Sequence, residues 1–162
     1  MSDPAVAPYG AWASPIRIDD VVGDLIGLAE PWLDGDEAYW LEARPSEGGR
    51  RVLVRLGPDG SIADLTPVPF NVRTRVHEYG GGSYTVAGGV VVFSNFADNR
   101  LYRLDPGAEA AVPITLVGPW RFADLRVDAR RLRVLAVRED HSGSGQARAS
   151  IVAIPLNGTA PP

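Results

Sequence analysis

The sequence predicts an all-β fold: a partial β-propeller of about two and a half to three four-stranded antiparallel blades, preceded by a short N-terminal leader. Short apolar runs recur along the chain, and clusters of Gly, Pro, Asp and Asn separate them, as expected for consecutive antiparallel strands. The 18 glycines and 14 prolines are spread over the 162 residues, which favours many short elements joined by tight turns. No long helical periodicity is present.

Three rounds of the same strand order can be traced. The first has a strand that ends at residue 34 and further strands at 37–42, 51–56 and 62–66. The second has strands at 83–86, 90–94, 100–104 and 112–116. The third has strands at 122–127, 133–138 and 150–155 and lacks a fourth. A period of roughly 40–50 residues with four strands per unit is typical of propeller blades, and a β-sandwich with evenly spaced strands is the alternative.

The repeats define the expected domain limits. We predict a leader at 1–27 and a partial propeller at 28–162, which divides into blades at 28–68, 69–117 and an incomplete 118–162. Within the leader, Val21, Val22, Leu25 and Ile26 are spaced for one short amphipathic helical turn that packs on another surface. A closed ring needs at least about four blades. We therefore expect part of a larger ring, completed either by other sequence or by further copies of the chain.

Composition limits the classes of partner. The net charge of −4 provides no basic field for nucleic acid or for an anionic membrane surface, so neither partner is expected. The chain has no cysteine, and therefore neither a disulfide framework nor a thiolate metal site. It contains no membrane-length apolar run, and its first residues lack a signal-peptide pattern, so we expect a cytoplasmic protein.

The densest motif is the string Arg-Val-His-Glu-Tyr-Gly-Gly-Gly at 75–82, within a longer conspicuous segment at 69–82. Together with the segments at 33–36, 39–42, 48–50, 93–98 and 138–142, it resembles the N-terminal propeller of the prolyl oligopeptidase family of serine peptidases (family S9). Within that family the likeness is to acylaminoacyl-peptidase and dipeptidyl-aminopeptidase-like members. It runs in order from about Tyr9 to the C-terminus.

The resemblance implies a propeller followed by an α/β-hydrolase domain with a Ser/Asp/His triad that cleaves peptides. This sequence contains no Gly-x-Ser-x-Gly pentad: Thr85 follows Ser83 where the second glycine should stand, and Ser142 precedes Ser144 where the first should stand. We therefore expect no catalytic residue and no activity of the chain alone. The implied partners are the hydrolase domain and the peptide substrates that this region would gate or position, with self-association as a further possibility.

Eight polar residues are candidates for substrate binding, because a carboxylate can hold the amino terminus of a peptide and an arginine its carbonyl or carboxylate. They are Arg73, Arg75, His77, Glu78, Tyr79, Glu139, Asp140 and His141.

For these residues the competing interpretation is structural. Arg75, His77 and Tyr79 alternate as along an extended run, the glycines at 80–82 let the backbone pass close to a neighbour, and residues 139–141 form a solvated loop. A metal site is disfavoured, because Gly81 stands where a His-Glu-x-x-His helix needs its second histidine. Nucleotide binding is disfavoured too, since no Lys-Ser/Thr follows the glycines, and no cofactor is expected.

Two other functions stay open on the sequence. One is a stand-alone β-rich binding module that completes its ring by self-association. The other is a small enzyme that uses His77 or His141 with nearby carboxylates, and it is the weaker because no nucleophile or metal set accompanies them.

Overall fold

A computed structural model describes residues 6–23 and 25–158. Residues 1–5 and 24 of the predicted leader, and residues 159–162 of the predicted third blade, lie outside the described residues. Eleven strands follow one another within the described part, and the helices there are one α-helix of five residues and two 3-10 turns. The strands are β1 Gly27–Asp34, β2 Glu37–Arg44, β3 Arg50–Leu56, β4 Ile62–Asp64, β5 Tyr84–Ala87, β6 Val90–Ser94, β7 Leu101–Leu104, β8 Val112–Pro113, β9 Trp120–Asp128, β10 Arg133–Asp140 and β11 Arg148–Pro155.

The strands form three antiparallel sheets, each made from strands that are consecutive in the chain. The first sheet has the order β1-β2-β3-β4, the second β5-β6-β7-β8, and the third β9-β10-β11. No described strand crosses from one sheet to another, so the sandwich alternative is excluded. The predicted partial propeller is confirmed: two four-stranded blades and a third sheet that has three strands within the described residues.

The second sheet lies between the other two, and β6 packs on both of them. Successive side chains of a strand point to opposite faces of its sheet. Val91 and Phe93 accordingly contact the first sheet in one apolar cluster with Leu41, whereas Val92 joins a second cluster with Phe122 of the third sheet. The uninterrupted run of apolar residues in β6 is therefore a consequence of a blade that is buried on both faces.

The same side-chain hydrogen bond occurs in each of the first two blades. The buried hydroxyls of Thr66 and Thr115 each accept the N–H of a residue in the third strand of their own blade, at 2.9 and 3.0 Å. Arg50 and Arg100 then donate to the main-chain carbonyls of these two threonines, each at 2.8 Å. The strand repeat seen in the sequence is thus also a repeat of side-chain hydrogen bonds.

The leader contains the helix α1, Ile18–Val22. The helical turn expected to include Leu25 and Ile26 therefore begins and ends earlier than predicted, and those two residues lie beyond it. The side chains of Ile18, Val21, Leu25 and Ile26 are exposed. Among the described residues there is no helix with the length and apolar character needed to cross a membrane.

Candidate functional site

The segment between the first two blades begins extended and then turns sharply. Val72, Thr74 and Val76 are buried, whereas Arg73 and Arg75 are exposed, as in a strand with one solvated face. Residues 76–79 then form a turn, so the prediction that the extended run continues through 79 is wrong.

The turn is made by two residues in the left-handed region. His77 has φ 55° and Glu78 has φ 65°. The Glu78 N–H donates to the carbonyl of Arg75 at 2.9 Å, and the Gly80 N–H donates to that of Val76 at 2.8 Å. Because non-glycine residues seldom adopt positive φ, surrounding contacts must hold the turn in place.

The three glycines let this segment pass close to β9. A Cβ atom on Gly81 would lie 3.1 Å from that of Ala123, and one on Gly82 would lie 3.2 Å from Oδ1 of Asp124. The backbone of Gly82 also accepts the Asp124 N–H at 2.8 Å. The predicted close passage of the glycine backbone past a neighbour is confirmed.

Three carboxylates from different strands accept main-chain N–H groups of the segment 77–83. Two of them, Glu30 in β1 and Asp124 in β9, have left-handed backbones themselves, with φ 52° and 54°. At both places the strand register shifts, which re-aims the side chain. The three donor–acceptor pairs are His77 to Glu139 Oε1 at 2.9 Å, Gly82 to Asp124 Oδ1 at 2.8 Å, and Ser83 to Glu30 Oε2 at 2.7 Å.

Glu139 is the buried centre of the candidate site. Its Oε1 lies 3.1 Å from Nδ1 of His77, and its Oε2 lies 3.1 Å from Nε2 of His141. Burial acts to raise the pKa of this carboxyl, but the hydrogen bonds from the His77 N–H and the His141 ring, with the charge of both rings, together lower it below its ordinary value. The expectation of a solvated loop at 139–141 is wrong for Glu139, since β10 extends to Asp140 and buries it.

Five of the eight candidate residues line one cleft of about 630 Å³ at the end of the blades. Tyr79 is 89% exposed at its edge, and its ring centroid lies 6.0 Å from that of His77. Glu78 pairs with Arg121 of β9 at 2.6 Å. The lining residues are His77, Glu78, Tyr79, Glu139, His141, Gln146, Ala147 and Ala149.

The other three candidates lie elsewhere. Arg73 and Arg75 lie over the ring of Phe96, and Asp140 accepts the Ser142 N–H at 2.9 Å beside a separate pocket of the 142–146 loop. Sequence reasoning missed Arg121 and Gln146. Arg121 sits in a strand with no motif around it, so no signal in the sequence singled it out.

The chemistry that the site offers is hydrogen bonding and charge recognition. His77 and His141 both contact the carboxylate of Glu139, one at each oxygen. Within residues 6–23 and 25–158, no group of three or more His, Cys, Asp or Glu side chains is arranged to hold a metal ion.

Comparison with solved structures identifies the fold and its relatives. A puromycin-hydrolysing peptidase of Mycobacterium tuberculosis matches 98% of this chain at 40% identity and a TM-score of 0.84. The chain corresponds to a propeller region of prolyl-oligopeptidase-family peptidases. A puromycin hydrolase matches 96% of the chain at 38% identity with a TM-score of 0.81, and a mutant of puromycin hydrolase complexed with PGG matches 94% at 37% identity with a TM-score of 0.81.

These matches confirm the resemblance to the prolyl oligopeptidase family that the motifs indicated. The chain spans about a quarter of the length of each of these peptidases, 25–26%. No protein-family model matches the chain, and no curated protein matches it significantly.

Proposed function

We propose that this chain is a non-catalytic propeller portion of a prolyl-oligopeptidase-family serine peptidase, which gates or positions peptide substrates for an α/β-hydrolase domain outside the chain. The observation that carries the proposal is the match of nearly the whole chain to one quarter of the puromycin-hydrolysing peptidases. The sequence has no Gly-x-Ser-x-Gly pentad, and this favours a non-catalytic role for the chain. In this proposal the blades are the units 28–68, 69–117 and 118–162.

The cleft at the end of the blades supports a role in holding peptide. It presents an exposed aromatic ring, Tyr79, beside the carboxylate of Glu78 and the two imidazoles on Glu139. Peptides offer amide, ammonium and carboxylate groups that such side chains hydrogen-bond. We therefore keep the eight predicted residues as candidates for contact with peptide.

The proposal is tested in two steps. The reading frame that contains this chain should also encode further blades and then a Gly-x-Ser-x-Gly elbow. In that longer peptidase, Tyr79→Ala should raise KM for peptide substrates while leaving the hydrolysis of a small ester reporter unchanged. Tyr9→Ala is the matched control, because Tyr9 is fully exposed in the leader. A frame without a hydrolase domain would refute the proposal.

One observation favours the alternative, a binding module that closes its ring by self-association. The two outer sheets carry exposed apolar side chains: Leu28 and Leu33 of β1 are 71% and 78% exposed, and Ile151 of β11 is 81% exposed. Apolar patches of this kind often mark surfaces that are covered by other protein. Light scattering across a concentration series separates the two functions, since a discrete closed oligomer of the 162-residue chain supports the module, whereas a stable monomer or unbounded aggregation does not.

A further inference from the structure

Arg73 and Arg75 form a pair of guanidinium groups on one aromatic ring. Their Cζ atoms lie 4.8 and 4.1 Å from the ring centroid of Phe96. Both side chains are exposed, and they leave the same side of an extended stretch whose intervening residue, Thr74, is buried. The ring therefore holds two positive charges together at the surface.

Neither arginine has an acidic partner within the described part of the chain, although most of the other described arginines do. The carboxylates of the adjoining loops are engaged elsewhere. Glu78 pairs with Arg121 at 2.6 Å, and Asp98 accepts the hydroxyl of Tyr102 at 2.6 Å. In a chain with a net charge of −4, this is a local positive charge without a counter-ion.

The guanidinium groups also limit what the pair can bind. A guanidinium that lies over an aromatic ring keeps its N–H groups at the edge, where they stay available to an acceptor. That fork matches the two oxygens of a carboxylate, and such charge-assisted bonds are stronger than bonds to a neutral carbonyl. A neutral carbonyl oxygen could accept a hydrogen bond from one arginine, but it would leave the positive charge of the two guanidinium groups uncompensated.

We propose that Arg73 and Arg75, held by Phe96, bind a carboxylate of a peptide ligand. This inference rests on the proposed function, because it names the class of peptide that two of the candidate residues would bind. The pair immediately precedes the turn that carries His77 and Tyr79 into the cleft. Arg121 also links the two places, because its Nη1 donates to the Arg75 carbonyl at 2.9 Å and pairs with Glu78 of the cleft lining. A peptide bound along this segment would present an acidic side chain or its C-terminal carboxylate to the pair.

Isothermal titration calorimetry of the 162-residue chain tests this with four probes. They are Ala-Ala-Ala with a free carboxylate, its C-terminal amide, the amide of Ala-Glu-Ala, and succinate. We expect Ala-Ala-Ala amide to bind about tenfold more weakly than the free acid, and the affinity for the acid to fall with salt. Recovery of affinity in Ala-Glu-Ala amide identifies an acidic side chain as the source, and no recovery identifies the C-terminal carboxylate.

Variants assign the effect to the pair. Arg73→Gln with Arg75→Gln should abolish the difference between acid and amide, and Phe96→Leu should reduce it. The matched control is Arg130→Gln with Arg148→Gln, two exposed arginines on the third sheet and its turn, which should keep the difference. Native circular dichroism verifies that each variant is folded. If the glutamine variant does not fold, Arg73→Lys with Arg75→Lys replaces it. This variant keeps the two positive charges but loses the forked N–H groups, and it should reduce the difference in affinity between acid and amide.

The outcomes separate the inference from the function on which it rests. Equal binding of acid and amide overturns the carboxylate site but leaves the proposed peptide role standing. Binding of succinate through the two arginines with no binding of any peptide supports the carboxylate site and contradicts the peptide role. An acid preference that survives the glutamine variant also overturns the inference.

Discussion

Replacing Glu139 with Gln should destabilise the chain by about 2 kcal/mol, because it neutralises a buried acceptor of charge-assisted hydrogen bonds. Glu139 accepts the His77 N–H at 2.9 Å, and both imidazoles lie 3.1 Å from its oxygens. The Gln side chain has one acceptor oxygen where Glu has two. Its NH₂ group would therefore face one of the two imidazole rings that a carboxylate oxygen contacts in the parent chain. For a chain of this size the loss corresponds to a fall in Tm of about 4–8 °C at pH 7.

The pH dependence of the stability provides a second test. The folded-state pKa of Glu139 lies below its ordinary value of 4.5, so its contribution is fully present above pH 4.5 and is lost as the pH falls through the lower folded pKa. The difference in Tm between the parent chain and Glu139→Gln, followed by circular dichroism, should therefore shrink as the pH falls below 4.5. Glu109→Gln is the matched control at an exposed site. A Glu139→Gln loss no greater than that of the control, or a difference that stays constant into acid, would refute the reasoning.

Three further outcomes are expected. Gly82→Ala should cost about 1–3 kcal/mol in urea unfolding, because its Cβ would lie 3.2 Å from Asp124 Oδ1, whereas Gly143→Ala, which meets nothing within 4 Å, should be neutral. Phe93→Ala should cost about 3–5 kcal/mol, since the ring is fully buried between two blades, and the thermal transition should shift or disappear. The purified chain should not hydrolyse aminoacyl or acylaminoacyl reporters; turnover that survives purification and is lost on substitution of either histidine would contradict this.

The blades could be predicted from the sequence because their information is local. The turn between β5 and β6 is Gly88-Gly89, with φ 58° and 75°, which is the pair that a tight hairpin needs. Apolar runs bounded by such turns set the strands to within a few residues. The apolar run of β6 is explained only by the structure, in which neighbouring sheets cover both of its faces.

The site was harder to predict because distant contacts decide its geometry. Alternation up to Val76 predicts an extended run, and nothing near His77 in the sequence indicates a left-handed turn. The hydrogen bond that stabilises it comes from Glu139, 62 residues away. Burial of Glu139 was missed for the same reason, since its polar neighbours Asp140 and His141 are typical of a loop. Residue types were thus predictable, whereas their conformations depended on tertiary contacts.

The turn at 76–79 is positioned by all three sheets together. The segment 77–83 leads into β5 of the second sheet, while its N–H groups are accepted by Glu30 of the first sheet and by Asp124 and Glu139 of the third. No single blade could hold this geometry, because separating the sheets would remove the acceptors from the donors. A ligand that binds the turn only in this arrangement must therefore stabilise the stack of blades, by RT ln(1 + [L]/Kd). Any ligand binding at this turn would therefore be coupled to the packing of the blades.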